Sequence, residues 1–77
     1  MNDVRLLAVE AKTVNASDAE LSRGIFQCIK YRATLRAMQL IDGRLPNAQA
    51  ILATQRELTG DLLRDVNRLK VAWIFVP

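Results

Sequence analysis

Two charged side chains near the end of an apolar segment are the first candidates for chemistry. The segment from Val4 to Lys12 reads V-R-L-L-A-V-E-A-K, and Glu10 and Lys12 are two positions apart in it. Side chains on a strand alternate between faces, so a strand here directs Glu10 and Lys12 to the same face. A carboxylate that binds a divalent cation beside an ammonium group suits phosphodiester hydrolysis. The alternative is a solvated ion pair at the end of a strand, which stabilises a fold by less than about 1 kcal/mol.

The composition predicts one small domain, residues 1–77, and excludes several kinds of site. The chain is 51% hydrophobic but only 5% aromatic, so Leu, Ile, Val and Ala must build the core. It has one cysteine, Cys28, and no histidine, which excludes an internal disulfide, Cys/His zinc sites and histidine-dependent catalytic pairs. The net charge of +3 permits an anionic partner such as nucleic acid. Acidic Asp3 and the lack of a long apolar run predict a cytoplasmic protein without a signal peptide or membrane segment.

The segment after Lys12 is predicted to be a long helix that packs on the sheet. A capping box at Ser17 to Glu20 predicts its start, and the helix is expected to run from Asp18 to Ile41 and to be ended by Asp42-Gly43. Its apolar face is predicted to comprise Leu21, Ile25, Cys28, Ile29, Ala33, Ala37 and Leu40. Gln27 and Tyr31 lie one turn apart at the border of this face, where they either reach a site or form an ordinary helix-edge hydrogen bond.

The second half of the chain is predicted to complete an α/β sheet. Ala48 to Thr54 has the nearly continuous apolar pattern of a strand buried on both faces. Thr59 is expected to cap a helix that ends near Leu69, and Val71 to Val76 forms a third strand. On this second helix the buried residues are predicted to be Leu62, Leu63, Val66 and Leu69.

The order β-α-β-α-β predicts a three-stranded, largely parallel sheet with crossover helices. If the strands lie in sequence order, right-handed crossovers place both helices on one face of that sheet. The other face would then expose apolar side chains from three strands, a larger patch than soluble monomers usually carry. We therefore expect a homo-oligomer, or a partner chain that covers the open face.

Glu10-x-Lys12 on a strand, followed by Gln27-x-x-x-Tyr31 on a capped helix, resembles part of the PD-(D/E)XK, or restriction endonuclease-like, nuclease superfamily. The order of elements resembles the second half of that core, particularly the branch seen in bacterial recombination nucleases. The resemblance implies that Glu10 and Lys12 bind metal and activate water, and that Gln27 and Tyr31 support the site and the DNA end. It also implies Mg²⁺ or Mn²⁺, held by Glu10 and the backbone carbonyl of Ala11, and DNA as partner.

This chain departs from that family at the first acidic residue. In the family that residue normally lies on an earlier strand of a hairpin, and no such strand is predicted before Glu10. Asp3 is the only acid upstream of Glu10, and on the same strand it would lie roughly 23 Å away. Asp18 or Glu20 could supply a second carboxylate, although helix capping explains both more simply. Three interpretations follow: a non-catalytic or incomplete nuclease-like domain, a metal-dependent DNA nuclease completed by oligomerisation or a partner chain, and an unrelated small α/β interaction module.

Overall fold

The computed structural model describes residues 5–41 and 47–77, with side chains from residues 7–41 and 49–77. Five elements follow one another: β1 (Arg5–Lys12), α1 (Asp18–Ile41), β2 (Asn47–Thr54), α2 (Gly60–Arg68) and β3 (Ala72–Phe75). The three strands are parallel and lie in the order β1-β2-β3. The predicted α/β fold, with its parallel sheet in sequence order, is therefore confirmed. The predictions for Val4, for Asp42-Gly43 and for Asp3 lie outside the described residues.

Both helices cover the same face of the sheet. Leu52, at the centre of β2, is fully buried and belongs to one core cluster with residues from α1 and α2. The buried members of this cluster are Ala16, Leu21, Ile25, Cys28, Leu52, Leu58, Leu62, Val66 and Val71. Because a single cluster joins both helices to Leu52, the sheet has a covered face and an open face, as predicted.

The start of α1 follows from the capping residue and from one glycine. The amide of Glu20 donates to Ser17 Oγ at 3.1 Å, which confirms the predicted cap. Gly24, one turn further on, is buried where the helix crosses the sheet. A Cβ at Gly24 would lie 3.1 Å from Leu52 Cδ1 and 3.2 Å from Lys12 Cε, so any larger residue would have to displace these side chains by a few tenths of an ångström.

The predicted apolar face of α1 is correct in the first half of the helix and wrong in the second. Ala33 and Ala37 are exposed, and Leu40 is 89% exposed. Four residues make more than one turn, so each step from Ile29 to Ala33 to Ala37 rotates the side chain by about 40° away from the sheet. The helix is also longer than the strands it covers: 24 residues span about 36 Å, against about 26 Å for the 8 residues of β1.

The second helix ends within one residue of the predicted position, and only its N-cap differs from the one expected. Thr59 occupies the N-cap position, but its side chain makes no capping hydrogen bond. At the other end the amide of Lys70 donates to the carbonyl of Asn67, and the amide of Val71 donates to the carbonyl of Val66. This pair of bonds is a Schellman motif, with Lys70 in the left-handed position at φ 54°. The four residues predicted to be buried on α2 are all buried or half-buried in the core.

The open face of the sheet carries apolar side chains that no described element covers. Leu7 is 58% exposed, Val9 51% and Ile74 50%. The prediction that β2 is buried on both faces is wrong, because Gln49 is exposed and Ile51 is half-buried on this side. Two helices pack on one face only, so β2 has a buried row and a partly exposed row. None of the helices in the described ranges has the length and apolar character needed to cross a membrane.

Candidate functional site

The first two site residues meet at the carboxyl end of β1. Lys12 Nζ lies 3.4 Å from Glu10 Oε1, and each side chain is about one-fifth exposed, at 21% for Glu10 and 22% for Lys12. Both side chains point to the covered face, as the strand alternation predicted. The pair is thus partly covered by α1, and the two opposite charges contact each other.

Tyr31 joins this pair from the helix. Its hydroxyl donates to Glu10 Oε2 at 3.2 Å, so both oxygens of the Glu10 carboxylate have a partner within the chain. Gln27 is half-buried one turn before Tyr31, but the hydrogen bonds of the described residues do not include its side chain. The structure therefore brings together Glu10, Lys12 and Tyr31, and it leaves the predicted role of Gln27 without a recorded contact.

Two further residues of α1 shape this site. Gly24 leaves room for the Lys12 side chain, whose Cε would lie 3.2 Å from a Cβ at that position. Cys28 is buried beside Glu10. Burial is the larger cause, and the negative charge of Glu10 the smaller one, of a raised pKa of the Cys28 thiol. The sequence predicts Cys28 only as a member of the apolar face, whereas the spacing of four residues between Gly24 and Cys28 is the signal that places both near the site.

The charge of Glu10 also acts on Tyr31. The negative carboxylate and the hydrogen bond that it accepts raise the pKa of the phenol above its usual value of 10.0. A neutral phenol can donate to Glu10, whereas a phenolate would be repelled by it. The contact therefore holds Tyr31 in its protonated, donating form.

The donors implied for a metal are a carboxylate and one backbone carbonyl. The carbonyl of Lys12 accepts from the amide of Gln55 next to β2. In a parallel ladder successive residues bond to opposite neighbours, so the carbonyl of Ala11 points to the free edge of β1. Glu10 and Ala11 thus offer hard oxygen ligands of the right kind, but two are few for Mg²⁺, which prefers six in octahedral geometry. This donor set alone does not fit a tightly held Mg²⁺.

The two acids considered as a second carboxylate have other positions. Asp18 Oδ1 is bonded to Arg56 Nη2, and Arg56 Nη1 donates to the carbonyl of Ala16 at 2.7 Å. These contacts fasten the loop before α1 to the loop after β2. Glu20 is exposed and takes part in the cap through its backbone amide. The prediction that both acids cap the helix is therefore not met by their carboxylates: that of Asp18 pairs with Arg56, and Glu20 contributes its backbone amide.

Comparisons with known proteins give no family for this chain. No family model matches it, and neither a curated protein nor a solved structure was found to be similar. The chemistry of the site consequently depends on its geometry: a carboxylate held by an ammonium group and a phenol under the first helix, next to a free strand edge.

Proposed function

We propose that this chain is an incomplete PD-(D/E)XK nuclease-like domain that associates with DNA and does not hydrolyse it alone. The observation that carries the proposal is the contact of Tyr31 with Glu10, beside the Glu10–Lys12 pair. Tyr31 and Glu10 are 21 residues apart in sequence, one on a helix and one on a strand, and they meet at one carboxylate. A right-handed crossover brings the helix over the sheet, and the resemblance supplies the proposed role of the contact.

The proposed lack of hydrolysis follows from the state of Glu10. Each oxygen of the Glu10 carboxylate contacts one partner, Lys12 Nζ or the Tyr31 hydroxyl, and keeps a lone pair for a cation, so Glu10 supplies at most part of the ligand shell. Lys12 adds charge but no acceptor. A single carboxylate and one carbonyl hold Mg²⁺ weakly, so hydrolysis requires ligands from another chain.

A second copy of this chain is the proposed cover of the open sheet face. Three half-exposed apolar side chains, Leu7, Val9 and Ile74, project from β1 and β3 on this face. Their apolar character suits a two-fold contact, in which the same apolar side chains of two copies face one another.

Metal titration and DNA cleavage test this proposal together. We expect calorimetry with Mg²⁺ or Mn²⁺ to show at most weak, millimolar binding, and linear, circular and single-stranded DNA to remain uncut. Glu10→Gln removes the charge of the candidate ligand, and Glu57→Gln, at an exposed glutamate, is the matched control.

The second candidate, a nuclease completed by oligomerisation, makes the opposite prediction. It requires cleavage that depends on metal and is lost in Glu10→Gln and Lys12→Ala but not in Glu57→Gln. That result would overturn the proposal of an inactive domain. Cleavage that none of these substitutions changes would indicate a contaminating nuclease. No binding to DNA in any form would refute the proposed association.

A further inference from the structure

A cleft lies between α1, the first half of β2 and the segment that joins α2 to β3. Its volume is about 430 Å³, within the range of roughly 300–1,000 Å³ for small-molecule sites. Consecutive helical residues point about 100° apart, so Arg32 enters this cleft while Tyr31 contacts Glu10 on the other side of α1. The polar side chains that matter here are Arg32, Arg36, Gln39 and Lys70.

Arg32 is fixed in the cleft by the end of α2. Its Nη1 donates to the carbonyl of Leu69 at 3.1 Å and to the carbonyl of Lys70 at 3.0 Å. These two bonds use one corner of the guanidinium and cover carbonyls that the helix end leaves without intrahelical partners. The described contacts of Arg32 leave its Nε and Nη2 edge for another acceptor, and that edge matches the bidentate geometry of a phosphate.

Two more cations lie around the same space. Arg36 follows Arg32 by one turn, and like charges at this spacing disfavour a helix by about 0.2–0.5 kcal/mol. Lys70 lines the opposite wall from the end of α2. No carboxylate is among the described residues that line the cleft. An anion would offset the repulsion among these three positive groups.

The acids on the neighbouring elements pair with other cations. Asp61 binds Arg64 and Asp65 binds Arg68 on α2. On β1, Glu10 binds Lys12. These pairs leave the positive charge of the cleft for a ligand from outside, and the amide of Gln39 adds a neutral donor and acceptor beside it.

We propose that the cleft between α1 and the segment that joins α2 to β3 binds the phosphate group of a nucleotide-sized ligand. Arg32 would hold the phosphate through its Nε and Nη2 edge, with Arg36 and Lys70 adding charge and Gln39 contacting the rest of the ligand. The site is separate from Glu10, so it does not depend on the proposed nuclease relationship. The phosphate could belong to a free nucleotide or to a short single strand.

Calorimetry on the full chain at low salt tests this site with three probes: pyrophosphate, adenosine monophosphate and a short oligothymidylate. We expect binding that weakens with salt, as exposed charges require. Arg36→Gln should weaken it by about tenfold, the effect of one charge-assisted contact. Lys70→Gly should also weaken it by several-fold, and it suits the left-handed backbone there, so unfolding would not explain the loss. Arg64→Gln, which removes an exposed arginine outside the cleft, is the matched control.

Each outcome decides the proposal. Binding of the monophosphate that falls in both cleft variants but not in Arg64→Gln supports a nucleotide site. Binding of the oligonucleotide alone, with the same dependence on Arg36 and Lys70, supports the phosphate contact and assigns it to a single strand. Failure of all three probes to bind at millimolar concentration would overturn the proposal, and so would equal weakening by Arg64→Gln. None of these results depends on whether Glu10→Gln changes metal binding.

Discussion

Placing a charge on the open sheet face should dissociate the proposed dimer. Leu7, Val9 and Ile74 are each about half exposed. Burying such a side chain completely stabilises by about 1.5–3 kcal/mol, so covering the exposed half contributes about 1 kcal/mol for each, or about 6 kcal/mol for the six side chains of a symmetric pair. Val9→Lys removes about 2 kcal/mol of this and buries two ammonium groups, which costs further free energy. The dimer should weaken by at least about 100-fold.

Sedimentation velocity over a range of micromolar concentrations measures this change. The monomer should stay folded, because position 9 is half exposed in it and the core lies on the opposite face. Thr34→Lys adds the same charge at an exposed position of α1 and should leave the dimer intact. A compact wild-type monomer at these concentrations, or equal dissociation constants for the wild type and Val9→Lys, would refute the reasoning.

Four further predictions concern single positions. Lys70→Gly should stabilise the fold by about 1 kcal/mol, because glycine adopts φ 54° without steric cost, as a urea titration would show. Leu52→Ala should destabilise it by about 2–5 kcal/mol through a central cavity, measured in the same way. Gly24→Leu should lower the unfolding midpoint despite the higher helix propensity of leucine, since its Cβ would press on Leu52 Cδ1. The pKa of Tyr31 is raised in the folded state, so its contribution to stability is complete below the ordinary phenol pKa of 10.0 and is lost as pH rises through the folded value. Tyr31→Phe should therefore reduce the loss of stability at alkaline pH. Unfolding curves recorded from about pH 9 to pH 11 measure this difference.

Local signals in the sequence predicted most of the fold. The capping box predicts the start of α1 at Asp18, and the apolar runs predict three strands whose described ends differ from those observed by at most one residue. The second half of α1 was mispredicted, because a chain of i+4 steps from Ile25 to Ala37 follows a face that turns away from the sheet. Sequence spacing does not show where a sheet ends, so it could not show that the helix continues beyond it.

The candidate site was predicted in part for the same reason. Strand alternation was enough to pair Glu10 with Lys12, and a crossover helix was enough to bring Tyr31 near them. Arg32 bonds to Leu69 and Lys70, which follow it in the sequence by 37 and 38 positions, and no local pattern indicates these two bonds. The same holds for Trp73, whose indole donates to Thr54 Oγ1 at 2.8 Å and satisfies a buried hydroxyl. Such contacts depend on the packing angle of the elements, which composition and periodicity leave open.

The Glu10–Lys12 pair can be tested for a purely structural role. A partly buried ion pair is often no more stabilising than well-packed apolar residues of similar volume, whereas removing one partner leaves an uncompensated charge. Glu10→Met should therefore destabilise the fold by about 1–2 kcal/mol, since Lys12 would remain only 22% exposed without its partner. The double variant with Lys12→Met should recover this loss and reach at least the wild-type free energy of unfolding in a urea titration. Recovery would mean that folding does not require the pair, which favours a role in a site. The opposite result is a double variant that is more than about 2 kcal/mol less stable than the wild type. It would assign Glu10 and Lys12 a structural role in the domain and would remove the main support for the nuclease-like interpretation.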